Sequence, residues 1–533
     1  APAPLPTALE KSIAVLPFQN ESSDSTNLYF VNGLMAATIG KLQKIEDLRV
    51  ISRTSSEKYR NSGKGIPEIA EELHVAYLVE GSGQRVGNQV LLNVQLIDAA
   101  GDRPVWTQQY SRQVTDIFDL QNEVARQITQ AIEAVVTPSE LQQIEKKPTE
   151  NLVAYDYFLQ ALEPFHTQSQ EGYAAAIPLF EQAVAHDDQF ALAYADLAIC
   201  YYFLDLFQAD KQYTEQINRY SDQALLYDSQ SDISLLSKAF YYFHVRDYRL
   251  ALPHLEKALE YNPNSTAILQ MLSEFYAFRK PNTAKYLEYA LRGIQLDVMG
   301  QDSTTKSYSY LHLSNALTQA GFLEEAATYV NLSLDFFAEN PFATHLKIFI
   351  GFAQDRDTEK TVTQLIAEWQ RDTTRLDFLQ DIGKIYYTTE RYDTAYFYYK
   401  KLVDARKRNN LRIFQQADAS IAFVYQQMGL EEEAEELFRS YEDFCAQDET
   451  RYRSMNLAVK HAYLHQVDSA MEQLTLFSTQ ENYQYWLILL ELDPMLVPLH
   501  SHPDFENVVQ RIKDRFWEDH HQLRQSLVEK ELI

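Results

Sequence analysis

Apolar and polar positions follow two rhythms along this chain. In the first part, short apolar runs alternate with amphipathic stretches. Ser12–Phe18 is an apolar run interrupted only near its end by proline, which predicts a buried strand. Phe30, Leu34, Ala37, Leu42 and Ile45 recur at helical spacing and predict a helix over Leu28–Ile45. Leu48–Ser52 reads as a second strand, and Pro67 opens a short helix that ends near Leu73, since proline fits a first helical turn. Tyr77–Val86 and Val90–Ile97 predict a hairpin around Gly87-Asn88, and Val105–Arg112 another strand. Ile117–Val136 closes this part as an amphipathic helix. The mixed order predicts an α/β or α+β layer of helices on a sheet.

Beyond about residue 150 the rhythm becomes helical and repeats itself. Ile382-Gly383, Tyr386, Tyr392, Ala395 and Tyr399 return, 39 positions later at the small residues, as Ile421-Ala422, Tyr425, Leu430-Glu431, Ala434 and Phe438. A small residue is needed where two helices cross closely, and aromatic residues fill the groove beside it. The same 12-residue step separates Ala239 from Ala251, Ser314 from Ala326, and Ala458 from Ala470. A unit this short cannot bury its own apolar face, so a repeat implies a stack. The spacing predicts about nine helix pairs between residues 152 and 480, with a degenerate unit around Thr361. Ala239, Ala251, Ala258 and Pro263 carry the small-residue and proline pattern that resembles tetratricopeptide repeats.

The first part also resembles a known family. Ser12-Ile-Ala-Val-Leu-Pro-Phe, Tyr29-Phe-Val-Asn-Gly-Leu34, Leu48-Arg-Val-Ile-Ser-Arg-Thr-Ser-Ser56 and Tyr77-Leu-Val-Glu-Gly-Ser82 stand in order. Gln95-Leu-Ile-Asp-Ala99, Val105-Trp106, Tyr110 and Asp116-Ile-Phe-Asp-Leu-Gln121 follow. Over residues 12–133 they resemble the TolB-like, or FlgO-like, amino-terminal domain, which is commonly followed by tetratricopeptide repeats. Leu492-Asp-Pro494, Leu499, Ser501, Pro503 and Phe505 resemble the usual closing segment. The resemblance implies a sensory or interaction half that follows an effector (a DNA-binding, nucleotide-cyclase or kinase domain) and a single membrane span. The expected organisation is a linker over 1–10, a TolB-like α/β domain over 11–140, an all-α tetratricopeptide-repeat superhelix over 150–480 and capping helices over 481–533. The Pro-rich start, without methionine, reads as a linker in a cut or processed piece.

Charge adds a constraint on partners. Residues 1–147 hold 14 Lys+Arg against 18 Asp+Glu, and the remainder 33 against 57. An acidic array repels nucleic acid and anionic lipid and favours neutral or basic partners; the same charge also keeps a long solenoid soluble. No run approaches the roughly 18 apolar residues of a membrane span. Any membrane attachment is therefore expected through an upstream segment. Cys200 and Cys445 fall in distant repeats and read as free, buried thiols.

Catalytic signals are weak. Asn61-Ser-Gly-Lys-Gly65 lacks phosphate-loop spacing and reads as a surface loop. His500, His502, His520 and His521 stand without a metal-binding motif, so no metal and no cofactor is expected, and no enzyme. The tyrosines are more informative, because 31 of the 35 lie after residue 147. In the resembled repeats, the fifth, ninth and twelfth positions of each first helix face the concave side. Carried over, these are Leu236, Phe240 and Phe243; Leu311, Asn315 and Thr318; Gln380, Lys384 and Tyr387; and Ala419, Phe423 and Gln426. Of these, Leu236, Phe240, Phe243, Asn315, Gln380, Lys384, Tyr387, Phe423 and Gln426 are the candidate ligand contacts. Apolar and amide groups in such a groove suit an extended peptide, a protein or an apolar small ligand. The same side chains would serve equally to pack the next repeat. The expected role is the non-catalytic sensory region of a membrane-bound bacterial signalling protein, foremost a transcriptional regulator, placed in the periplasm. An envelope scaffold without output, or a cytoplasmic location, remains the alternative. The charged tail, Arg511–Ile533, is expected to cap the last repeat or to join two copies.

Overall fold

The computed structural model describes residues 11–22, 27–206, 208, 210–297, 300–409 and 411–529. It shows a small mixed sheet followed by a long all-helical, tetratricopeptide-like repeat region. The proposed linker over 1–10 and the last four residues lie outside the described residues.

Six strands make the sheet: β1 (Ser12–Val15), β2 (Gln19–Asn20), β3 (Arg49–Val50), β4 (Tyr77–Val86), β5 (Gln89–Asp98) and β6 (Arg103–Gln113). Their order is β3-β1-β4-β5-β6, with β2 beside β4. β1 runs parallel to β3 and β4, whereas β4, β5 and β6 form an antiparallel meander. The two-residue hairpin loop falls on Gly87-Asn88 as expected. Gly87 takes φ +60° there, as the first loop position of a type II′ turn demands. Ile13, Val15, Val79, Leu92, Val94 and Leu96 point from the sheet into one core. Helices Leu28–Leu42 and Ile117–Ala131 cover that face.

Two short helices escaped the pattern. Arg53–Glu57 is capped by Ser52, and Pro138–Glu145 is opened by a Thr137–Glu140 capping box with Pro138 in its first turn. Both are too short for a periodic signal, although the Thr137 box was present in the sequence. The helix expected to reach Val136 stops at Ala131, with Glu133 at φ +58° just beyond it.

Nine helix pairs follow among the described residues, from Leu152–Phe165 with Gln170–His186 to Arg453–Tyr463 with Val467–Phe477. The chain divides into two compact units. Among the described residues, one holds those up to Leu272 with Arg292–Asp302, and the other Ser273–Leu291 with Ser303 onward. In the first unit the core of the sheet runs without a break into Phe158, Phe180, Phe190 and Tyr194 of the first helix pairs. Polar contacts extend that continuity. Asn264 donates to the carbonyls of Gln43 (3.2 Å) and Ile45 (2.8 Å). Arg49 donates to the Leu296 carbonyl (3.0 Å), and Ser55 Oγ to Asp297 (3.0 Å).

In the second unit the small-residue rule has a direct geometric reason. A Cβ on Gly383 would stand 2.5 Å from the ring of Tyr399, which is fully buried and cannot swing aside. Ala395, Ala422 and Ala434 are likewise fully buried. Gly383→Ala gains about 1 kcal/mol of helix propensity but incurs overpacking of about 1–3 kcal/mol. The expected net is a loss on the order of 1 kcal/mol, read as a lower urea midpoint at unchanged slope. A gain in stability would show that the Tyr399 contact is soft.

The chain ends differently from a simple cap. After the ninth pair it forms two 3-10 stretches, Tyr485–Leu492 and Pro494–Ser501, and then the helix Phe505–Glu529. That helix does not stop at the last repeat. His520 meets the ring of Phe322 at 4.1 Å and the carbonyl of Ala320 at 2.9 Å, and Arg524 lies 3.6 Å from Glu325. The stripe of Phe505, Val508, Val509, Ile512 and Phe516 is buried along it.

Candidate functional site

Three first helices of successive pairs turn the same kind of stripe toward one cleft. Ser303–Gln319 contributes Tyr308, Leu311, His312, Asn315 and Thr318. Pro341–Asp355 contributes Phe342, His345, Leu346, Phe349 and Phe352. Leu376–Thr388 contributes Asp381, Lys384, Ile385 and Thr388. Steps of three and four residues place each set on a single helix face. The cleft's volume is about 760 Å³. Phe278 adds a further aromatic side chain from a π-helical turn, Phe275–Arg279, whose closing bond runs from the Lys280 N–H to the Phe275 carbonyl (3.0 Å). Such turns re-aim side chains out of the regular helical register. Phe278 and Phe342 are 62% and 49% exposed, which marks the mouth of the cleft.

The remaining wall is the chain's own tail. Trp486, Leu487, Leu489, Leu490 and Leu492 of the first 3-10 stretch line the cleft, with Asp493 just after them. A 3-10 run of eight residues has poor intrinsic stability, so tertiary contacts must hold it. At its start Thr283 N–H donates to the Asn482 carbonyl (3.0 Å), and Tyr452 Oη accepts from the Gln484 N–H (3.1 Å). Arg356 donates to Tyr485 Oη (2.5 Å), and the ring of Trp486 meets Phe349 edge-on at 5.9 Å. At its end Tyr387 Oη donates to Asp493, and the Met495 N–H donates to Asp493 Oδ1 (3.0 Å). The tail is therefore a strap laid against the first helices.

The carboxylates of the cleft are paired within the protein itself, whereas its lysine is exposed. His345 Nε2 lies 2.9 Å from Asp381 Oδ2. Asp377 is held below the usual carboxylate range: burial pushes it up, but the Arg375 guanidinium beside it outweighs that. Asp493 goes the other way, because burial dominates and raises it despite the bond from Tyr387. Burial drives the Tyr387 hydroxyl up too, and Asp493 beside it adds to the rise. Burial lowers His312, so its imidazole is neutral near pH 7. Lys384 is exposed, and its charge acts on Asp493.

The candidate contacts fall into three groups. Asn315 and Lys384 stand in the wall of the cleft. Gln380, Phe423 and Gln426 are half-buried outside it; Phe423 packs edge-on against Tyr387 (5.8 Å) and Tyr392 (5.7 Å). Tyr387 is only 1% exposed, so it braces the strap and is closed to a ligand. In the other unit, Leu236 and Phe240 are buried, Phe240 stacking on Tyr202 at 4.4 Å, and Phe243 packs near Tyr248 (6.0 Å). Phe240 is thus covered by the preceding pair, and Phe243 meets the second helix of its own pair.

The sequence reading missed Phe278, the helix Pro341–Asp355 and the strap. The helix belongs to the degenerate unit, which gave no register to carry over. The strap's signal was the nearly unbroken apolar run Tyr485–Leu492, which has no helical period. Among the described residues no group of three or more His, Cys, Asp or Glu is placed to hold a metal. His500 packs on Phe505 (4.6 Å), His502 accepts from the Asp504 N–H, and His521 contacts the Trp517 carbonyl. No described helix is long and apolar enough to cross a membrane. Cys200 and Cys445 are free and buried.

Comparison with known proteins agrees with a regulatory, protein-interaction chain. The family model "HilA/YgeH-like transcriptional regulator, second domain" matches residues 9–127, and a tetratricopeptide-repeat model matches residues 376–409. A curated relative, "Putative adenylate cyclase 3" of Rhizobium meliloti (strain 1021), is 33% identical over 188 residues. The match takes in 35% of this chain and 32% of the relative, so the chain spans about a third of that protein's length. Among solved structures, YrrB, described as a tetratricopeptide-repeat protein with an unusual peptide-binding site, is 18% identical; 38% of this chain and 95% of YrrB align, with a TM-score of 0.31. PilF of Pseudomonas aeruginosa is also 18% identical, over 45% of this chain and 99% of its own, with a TM-score of 0.31.

Proposed function

We propose that this chain is the non-catalytic input region of a membrane-bound bacterial signalling protein, with the cleft of the second unit as its ligand site. The observation that carries the reading is the pairing of two features. A regulator-type amino-terminal domain is joined to helical repeats, and the repeats keep an apolar cleft with an open aromatic mouth. An output domain is not required within the chain, because repeats of this kind act by holding another molecule. The finer assignment of the first domain is TolB-like, on the eight ordered motifs, and the placement is periplasmic. The output most in keeping with the matched regulator domain is transcription; the cyclase-named relative makes cyclic-nucleotide synthesis by an upstream domain the second possibility. Signalling further requires that a ligand bind two states of the protein unequally.

The test is made in the host. The coding sequence upstream of Ala1 is read, and Thr388→Trp, which obstructs the cleft, is introduced into the native gene. The expected result is an upstream membrane span with a DNA-binding or cyclase domain, and a changed transcript set or cyclic-nucleotide level at unchanged protein abundance. A bare secretion or lipoprotein signal upstream, with no change in output, would replace this reading by the envelope scaffold.

A further inference from the structure

The cleft's wall carries six aromatic side chains, Phe278, Tyr308, Phe342, Phe349, Phe352 and Trp486, set among aliphatic ones. Aromatic walls favour flat partners, which they meet face-on or edge-on over a large apolar area. Polar groups share the wall with them. Asn315 comes from one helix, and His345, Asp381 and Lys384 from the next two.

Shape decides between a peptide and a small molecule. An extended peptide needs an open groove along the first helices. Here the strap Tyr485–Leu492 already lies there, fixed at both ends by Asn482 and Asp493. What remains is a bounded volume of about 760 Å³, inside the roughly 300–1,000 Å³ range of small-molecule sites.

Charge decides the ligand's head group. A cationic ligand would seek a carboxylate without a partner. Asp381 already has His345, and Asp493 already accepts from Tyr387 and from the Met495 N–H. An anionic ligand would meet Lys384, but with Asp381 one turn before it on the same helix and Asp493 within its field. Desolvating a cation against carboxylates already paired is unfavourable, and an anion would gain one exposed lysine while facing two carboxylates beside it. Amide and imidazole groups, by contrast, both donate and accept.

Resting on the proposed input role of this cleft, we infer that its ligand is a flat, largely apolar, uncharged small molecule with hydrogen-bonding groups on one side. The rings of Phe278 and Phe342 receive it at the mouth. His312 and the remaining capacity of the Asn315 amide read its polar edge. The strap is the wall it packs against, so occupancy and strap position are linked.

Two probes with the same ring system isolate the charge term. N-phenyl-1-naphthylamine is neutral, and 1-anilinonaphthalene-8-sulfonate carries one sulfonate. Each is titrated into the whole 533-residue chain, its Thr388→Trp variant and its Phe278→Ala variant, with circular dichroism and melting curves on all three. The neutral probe is expected to brighten and saturate at one per chain, with the sulfonate at least tenfold weaker. Thr388→Trp is expected to abolish this site, and Phe278→Ala to weaken it severalfold. If Thr388→Trp does not fold, Phe278→Ala decides alone, since its side chain is largely in solvent. Non-saturating fluorescence, a sulfonate that binds as tightly as the neutral probe, or affinity unchanged in the folded variants would each overturn the inference. The host experiment on Thr388→Trp stands apart from this. A changed output with no neutral-probe binding would keep the input role and discard the ligand class.

Discussion

Asp418→Ala is expected to lower stability by about 3–5 kcal/mol, because it strands a buried guanidinium. Asp418 is fully buried at the first turn of Asp418–Gln427. Arg406, in the last turn of Tyr392–Arg408, grips it in a two-point fork, with Nη1 2.5 Å from Oδ1 and Nη2 3.0 Å from Oδ2. Each partner also suits its helix end: the acid sits at a positive amino terminus and the base at a negative carboxyl terminus. The pair thus joins the seventh helix pair to the eighth. Removing the acid leaves Arg406, whose side chain is only 11% exposed, with neither water nor a counter-charge. Replacing both partners by apolar residues of similar size, as in Arg406→Met with Asp418→Leu, is expected to recover most of the loss. Urea unfolding of the two single variants and the double variant closes the cycle. A single variant that costs under about 1 kcal/mol would place the pair with ordinary surface bridges.

The repeat array was legible because its closest contacts recur. Gly383, Ala395, Ala422 and Ala434 are small for one steric reason, and that reason repeats with the unit. The hairpin was legible because Gly87 solves a local backbone problem. The cleft was legible only in part. Asn315 and Lys384 came from units with a clear register, whereas Phe342, His345 and Phe349 came from one without. Phe240 and Tyr387 show the opposite outcome: Tyr202 of the preceding pair covers the first and the strap covers the second. Periodicity reports which face of a helix is apolar, not what will lie on it. The strap could not be placed for the same reason. Its burial is set by helices more than 100 residues earlier, such as that of Tyr387 against Asp493.

Between pH 6.5 and 8 the chain is expected to lose stability as pH rises, and Asp196→Asn to remove part of that slope. Asp196 is buried in the helix Ala191–Asp205. Burial pushes its carboxyl up to about 8, and the neighbouring Asp232 adds to the rise. Asp232 itself stays charged: burial pushes it up, but Lys44 at 3.0 Å and Asn262 at 2.7 Å hold it down. An acid raised in the folded state favours folding while it keeps its proton. That contribution is complete below the ordinary carboxylate value near 4 and is lost as pH climbs through 8. Across the window the folded chain retains a proton here that the unfolded chain has released. The contribution of Asp196 is therefore about −1.4 kcal/mol per pH unit near pH 6.5 and about half that at pH 8, where Lys41, lowered by burial to about 8, acts in the opposite sense. The window excludes Asp297, whose burial raises it only to about 6. Buried histidines such as His312, lowered by burial, act in the opposite sense, gaining stability as pH rises toward 6.5 and little above it. Asparagine keeps the shape of Asp196 without the titration. The difference between wild type and Asp196→Asn in urea midpoint, at pH 6.5 and at pH 8, isolates the group. Parallel lines would show that Asp196 is ionised throughout and draws a compensating cation.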